Sequence, residues 1–198
     1  ITATKRTLAA ISVGDAAGGV FRQINGVAAG TVDSDAVNVA QLKAGIAAGT
    51  VKYFSVNSTG GTNELNDGAT GTDAIAIGKN ASATGPASIA IGVGSISSGD
   101  RSNASGAAAQ ALGDLSNASG ALSVASGDRS NASGVRAVAG GAKSNASGVD
   151  AVASGANSNA SGVSSKASGT NSNASGVFSV ASGNDSIASG TNAQAIGV

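Results

Sequence analysis

From residue 72 onward the chain alternates small residues with larger or polar ones in short runs, and each run ends in glycine. Glycine recurs every seventh residue from Gly78 to Gly197 without a gap. The residue two before each glycine is Ala, with Ser97 the exception, and the residue four before is always Ala or Ser. A second period lies over the first. Three before glycine, alternate runs carry Asn103, Asn117, Asn131, Asn145, Asn159 and Asn173, while the runs between them carry Val124, Val138, Val152, Lys166 and Val180. The repeat is therefore fourteen residues long and made of two unlike halves.

Seven residues of small-x-small alternation closed by Gly predict one short strand and one tight turn. Glycine there allows positive φ or a close backbone approach. Two halves make one coil of a β-solenoid, with parallel ladders about 4.8 Å apart. A coiled coil is the rival for a seven-residue period. It fails because glycine costs about 1 kcal/mol at each helical position and no leucine-like seam exists. Alternation puts the Ala and Ser columns inside the coil and points the Asn103/Ser105 and Val124/Ser126 columns outward.

Ordering each residue costs about 1–2 kcal/mol, and burying a methyl-sized group returns only about 0.8 kcal/mol. So thin a roll predicts burial against further copies, a closed homo-oligomer being the simplest arrangement. The row of Ile75, Ile77, Ile89, Ile91 and then Asn131 and Asn145 with the other asparagines is expected at that interface. The alternate valine row is its rival on hydrophobicity. The turns after the Asn halves carry Val135, Val149, Val163 and Val177, a further source of apolar contact between chains.

The first fifty residues read differently. Thr31 to Asp35 supplies helix-capping residues, and Ala36, Val37, Val39, Ala40 and Leu42 follow. A short helix over about 34–48, ending near Gly49, is expected. It is too weakly apolar to stand alone, and is expected to pack against copies of itself.

Composition narrows the function. Eleven basic and eleven acidic residues balance, which argues against a nucleic-acid partner. With no Cys or His, the usual zinc sites, disulfides and Ser-His or Cys-His catalysis lose their residues. No catalytic residues, cofactor or metal are expected. Asp100, Asp114, Asp128 and Asp150 stand apart and lack the spacing of a calcium-binding roll. The six Asn-Ala-Ser triplets are formal glycosylation acceptors, but the repeat itself generates them. No run of apolar residues is long enough for a membrane-spanning helix, and no secretory signal pattern opens the sequence.

"TDAIAIGKNASATGPASIAIG", residues 72–92, resembles the head repeat of the trimeric autotransporter adhesins of Gram-negative bacteria, and "FRQINGVAAGTVDSDAVNVAQLK", residues 21–43, resembles their neck motif. The neck likeness rests on Asp35, Ala36, Val37, Asn38, Gln41 and Leu42. "ISVG", residues 11–14, looks like the last strand of a preceding element, and "VKYFSVNS", residues 51–58, like the strand entering the next head. The resemblance implies a mainly β, left-handed parallel β-roll in a homotrimer, with a short N-terminal neck and helix. It divides the chain into a preceding element, neck and helix (1–50), a connecting strand and loop (51–71) and a YadA-like β-roll head (72–198). It also implies a bacterial surface protein, held in the outer membrane by a C-terminal region outside this sequence, that binds host extracellular matrix or a cell-surface receptor without catalysis. The secretion signal, long stalk and membrane barrel of that family are not seen here. The alternative reading is a spacer rod that presents a distal tip. An ice-binding solenoid would want ladders of Thr, which is scarce in the repeats.

Overall fold

The computed structural model describes residues 13–15, 17–48 and 57–197. The chain divides into two compact units, 1–55 and 56–198. Residues 11–12 of "ISVG" and 51–56 of "VKYFSVNS" fall outside the described residues.

In the N-terminal unit Asp15 and Val20 form an isolated antiparallel bridge. Among the described residues this unit has one helix, α1 (Val39–Ala48). It begins later than the capping residues at 31–35 suggest. The reason lies in the side chains. Asp35 turns back to accept the Thr31 N–H at 2.8 Å, so it caps nothing downstream. Asn38 takes the N-cap position instead. Its Oδ1 accepts the Gln41 N–H at 2.9 Å, and Gln41 Oε1 accepts the Asn38 N–H at 3.3 Å. That reciprocal pair is a capping box built from amides.

The second unit is a parallel β-solenoid. Its strands fall alternately into two nine-stranded sheets. One sheet, from Ile75–Ile77 to Ile187–Ser189, contains every Asn-Ala-Ser strand and is called here the Asn sheet. The other, from Ser82–Ala83 to Gln194–Ile196, is the Val sheet. Register repeats at fourteen residues throughout: Asn131 lies on Asn145 in one sheet and Val138 on Val152 in the other.

The core is made only of alanine and serine. Ala104, Ala118, Ala132, Ala146 and Ala160 are wholly buried, as are Ala111, Ala125, Ala139 and Ala153 opposite them. Nothing larger fits between two strands that close so tightly. Several inner serines satisfy their hydroxyls locally. Ser158 Oγ donates to the Gly155 carbonyl at 2.6 Å, and Ser172 Oγ donates to that of Gly169 at 2.7 Å.

The repeat glycines serve two different needs. Those closing the Asn strands, such as Gly134 and Gly148, hold φ of +140° and +133°. Both these and the glycines closing the Val strands, such as Gly141 and Gly155, lie against the carbonyl of the next coil's glycine, where a Cβ has no room. The left-handed turn position itself falls two residues after each glycine and is occupied by almost any residue. Arg129, Lys143, Leu122 and Phe178 all sit at φ between 55° and 60°. The stacking holds them there: the Arg129 N–H donates to the Asp114 carbonyl of the preceding coil at 2.7 Å. Hydrogen bonding between coils thus continues through the turns, and the rod has few unpaired backbone groups along its length.

Candidate functional surfaces

The roll presents four long surfaces: two outward sheet faces and two edges of stacked turns. The Asn sheet begins with Ile75 and Ile91, both largely exposed, and Ile77 and Ile89, half-buried. Asn103 through Asn173 continue the row and are half-buried in the single chain. Each of these amides bonds to the next one along the rod. Asn103 Nδ2 donates to Asn117 Oδ1 at 2.8 Å, and the same bond repeats to Asn131, Asn145, Asn159 and Asn173 at 2.7–3.0 Å. Such a ladder satisfies one donor and one acceptor on each inner rung, so these side chains can be covered at small cost. An amide held this way is also engaged at every Asn-Ala-Ser triplet from Asn103 to Asn159.

The Val sheet carries Val124, Val138, Val152 and Val180 half-buried between coils, with Lys166 exposed in their row. Its outer serines, Ser126, Ser154 and Ser168, are exposed.

The two edges share the left-handed residue two places after each glycine and differ in side chains. The edge after the Val sheet holds Asp100, Asp114 and Asp128 in a column, flanked by Arg101, Leu115, Arg129 and Lys143. Its carboxylates bond to backbone: Asp114 Oδ1 accepts the Asp100 N–H at 2.9 Å, and Asp128 Oδ1 accepts that of Asp114 at 3.1 Å. Arg101 pairs with Asp100 at 3.2 Å. The edge after the Asn sheet holds Val93, Ala107, Ala121, Val135, Val149, Val163 and Val177 in the matching column. Two of its charges pair with each other: Arg136 Nε donates to Asp150 Oδ1 at 2.5 Å and Nη2 to Oδ2 at 2.7 Å. That contact raises the arginine and lowers the Asp150 carboxyl below its ordinary range.

In the N-terminal unit the residues singled out by sequence split into two groups. Asn38 and Gln41 meet and tie Val27 and Gly30 to the start of the helix. Gln41 Nε2 donates to the Gly30 carbonyl at 2.8 Å while its Oε1 accepts the Gly30 N–H at 2.9 Å; Asn38 Nδ2 donates to the Val27 carbonyl at 3.2 Å. Asp35 forms its own turn with Thr31 and Val32, whose N–H groups hold its carboxyl below the usual value. Ala36, Val37 and Leu42 point to solvent, and so does every residue of α1 but Gln41. No group of three acidic, His or Cys side chains is placed to hold a metal among the described residues, and no described helix is long and apolar enough to cross a membrane.

The head repeat of YadA, a family of paired repeat copies, matches residues 69–95, 118–144 and, through overlapping copies, 146–198, over half of the chain. The chain belongs to the trimeric autotransporter adhesins. The coiled stalk of the same family matches residues 23–64. Among curated proteins the chain is similar to the trimeric autotransporter adhesin AtaA of Acinetobacter sp. (strain Tol 5), 54% identical over 71 residues. It is also similar to the autotransporter adhesin BadA of Bartonella henselae, 44% identical over 85 residues. These alignments cover 35% and 38% of this chain but only 2% and 3% of the relatives. The chain thus corresponds to a small part of such adhesins.

Proposed function

We propose that this adhesin segment is a head-and-neck module that binds host extracellular matrix or a cell-surface receptor as a homotrimer, on the outer-membrane surface of its bacterium. The supporting observation is the match of over half the chain to the adhesin head repeat, on a roll whose faces repeat the same few side chains coil after coil. Such a surface suits shallow, repeated contacts multiplied by three chains rather than one deep pocket. The roll is left-handed in this reading. The Asn sheet, with Ile75, Ile77, Ile89, Ile91, Asn131 and Asn145, faces the three-fold axis. Residues 1–50 are the neck and helix, 51–71 the connection and 72–198 the head. Asp35, Ala36, Val37, Asn38, Gln41 and Leu42 form the neck, and the exposed Val39, Leu42 and Ile46 of α1 are covered by the other two helices. No catalytic step is involved.

The test is a solid-phase screen of the 198-residue chain, first shown to be trimeric by sedimentation, against collagen, fibronectin, laminin and epithelial cells. Saturable binding to one of them is expected. An intact trimer that binds none would favour the spacer rod.

A further inference from the structure

We propose that Asn25–Gly26 in the N-terminal unit is a self-modifying site, at which the asparagine converts to aspartate and isoaspartate by ring closure on the following backbone nitrogen. The chemistry needs only water. The deprotonated Gly26 nitrogen attacks Asn25 Cγ. A C–N bond forms, the bond from Cγ to Nδ2 breaks, and Nδ2 leaves as ammonia with the proton that the Gly26 nitrogen gave up. The product is a five-membered succinimide, which water opens at either carbonyl. One opening gives an ordinary aspartyl link. The other runs the main chain through the former side chain and lengthens it by one carbon. Nothing is oxidised or reduced, and each chain gains one negative charge.

Two observations put the reaction at this place. First, Asn25 is the one asparagine of the sequence that precedes a glycine. A Cβ on the following residue crowds the nitrogen that must close the ring, and glycine has none. Gly26 sits at φ +73° with open space where a Cβ would be. Secondly, the nucleophile is not engaged. Asn25 and Gly26 are exposed and lie in no strand or helix. Neither the Gly26 N–H nor the Asn25 amide has a hydrogen-bond partner among the described residues. Elsewhere the corresponding N–H is already donated. That of Ser158, after Asn157, goes to the Gly155 carbonyl at 3.2 Å; that of Ala81, after Asn80, to Gly78 at 3.1 Å; that of Asp185, after Asn184, to Thr170 at 2.9 Å. The asparagines of the ladder have bonded amides, and each is followed by a buried alanine. The consequence follows from the bonds just downstream. The Val27 carbonyl accepts from Asn38 Nδ2, and Gly30 is bonded twice by Gln41. An extra main-chain carbon between residues 25 and 26 is therefore taken up on the upstream side of these ties.

The experiment ages the full chain at 37 °C, at neutral and at mildly alkaline pH, both native and in denaturant, and maps each asparagine by peptide mass spectrometry. In the native chain Asn25 is expected to convert at least about tenfold faster than any asparagine of the ladder, whose strands must open before they react. Conversion should rise with pH and yield a more acidic species on ion exchange. Asp67, before Gly68, can isomerise through the same ring but keeps its charge, so the acidic species reports on asparagine alone. Gly26→Ala keeps the asparagine and is expected to slow its conversion severalfold, while Asn25→Gln is expected to abolish the acidic species. An Asn25 that stays intact in the native chain while it converts in denaturant overturns the proposal. So does conversion no faster than at Asn131 and Asn145, or an acidic species that persists in Asn25→Gln.

Discussion

Asn131 donates its side-chain amide to Asn145 at 2.8 Å, one coil further along the rod, and Asn145 hands the same bond on to Asn159 at 2.9 Å. Each inner amide in this row is a donor on one side and an acceptor on the other. Asn145→Asp breaks that polarity. The carboxylate still accepts from Asn131 but faces Asn159 Oδ1 with no hydrogen to offer. A loss of about 1–3 kcal/mol at pH 7 is expected, or about 2–4 °C in Tm for each kcal/mol. Protonation restores the donor, so the folded pKa of the introduced acid lies above its unfolded value. The recovered stability is therefore present at low pH and lost as pH rises through that folded pKa. Thermal melts at pH 4 and 7, normalised to the unsubstituted chain, check this. An equal deficit at both would show that the ladder's direction does not matter.

The two demands on the repeat glycines separate in the same assay. A Cβ on Gly155 would run into the Gly169 carbonyl of the next coil, whereas one on Gly190, which closes the last Asn-sheet strand, meets nothing within 4 Å and suffers only from φ +115°. Gly190→Ala is expected to cost about 1–2 kcal/mol, the backbone term alone. Gly155→Ala must also push two coils apart and is expected to cost clearly more. Equal melting temperatures for the two variants would contradict the close-approach reading.

Much of this was legible in the sequence because the solenoid imposes two periods at once. The Ala and Ser columns could be placed inside from alternation alone, since Ala132 and Ala146 recur at the same phase and nothing larger ever replaces them. The bonding of the asparagines was not legible in the same way. Asn131 and Asn145 are fourteen residues apart, and only the parallel register makes them neighbours. The left-handed turn residues were hidden for a different reason. Arg129 and Lys143 carry no preference for positive φ, and they adopt it because the turn's N–H groups are bonded to the preceding coil. At the neck, Asn38 and Gln41 were singled out, but Asp35 and its neighbours drew the predicted helix start four or five residues too early. Competing caps of similar strength cannot be ranked without knowing where each side chain turns.

The neck turn has a pH signature of its own. The Thr31 N–H, and then that of Val32, lower the Asp35 carboxyl below its ordinary value. A depressed folded pKa stabilises the turn above the unfolded value of about 3.9 and ceases to do so as pH falls through the folded value. Hydrogen exchange, corrected for intrinsic rates, is expected to show protection of the Thr31 amide at pH 5 that fades toward pH 2.5. Asp35→Asn should flatten that dependence while the amides of the Asn sheet stay unchanged. Persistence of the same pH profile in Asp35→Asn would place its origin elsewhere.

A final prediction concerns gain rather than loss. Lys143 sits at φ 57° on the charged edge, directly before Asn157, Asn171 and Asp185 in the same column. Those three already form a short ladder, Asn157 Nδ2 donating to Asn171 Oδ1 at 3.2 Å and Asn171 Nδ2 to Asp185 Oδ1 at 2.9 Å. Lys143→Asn places there a side chain that tolerates the left-handed region and whose amide can reach Asn157 Oδ1. The backbone effect should contribute up to about 1 kcal/mol. The new bond adds less than its buried counterparts because water competes for it. A rise of a few degrees in Tm is expected. Lys143→Gln removes the same charge but has neither the left-handed preference nor the short reach, so it should leave Tm unchanged. If the Gln and Asn variants melt together, the gain belongs to the lost charge, and neither the strained turn nor the ladder accounts for it.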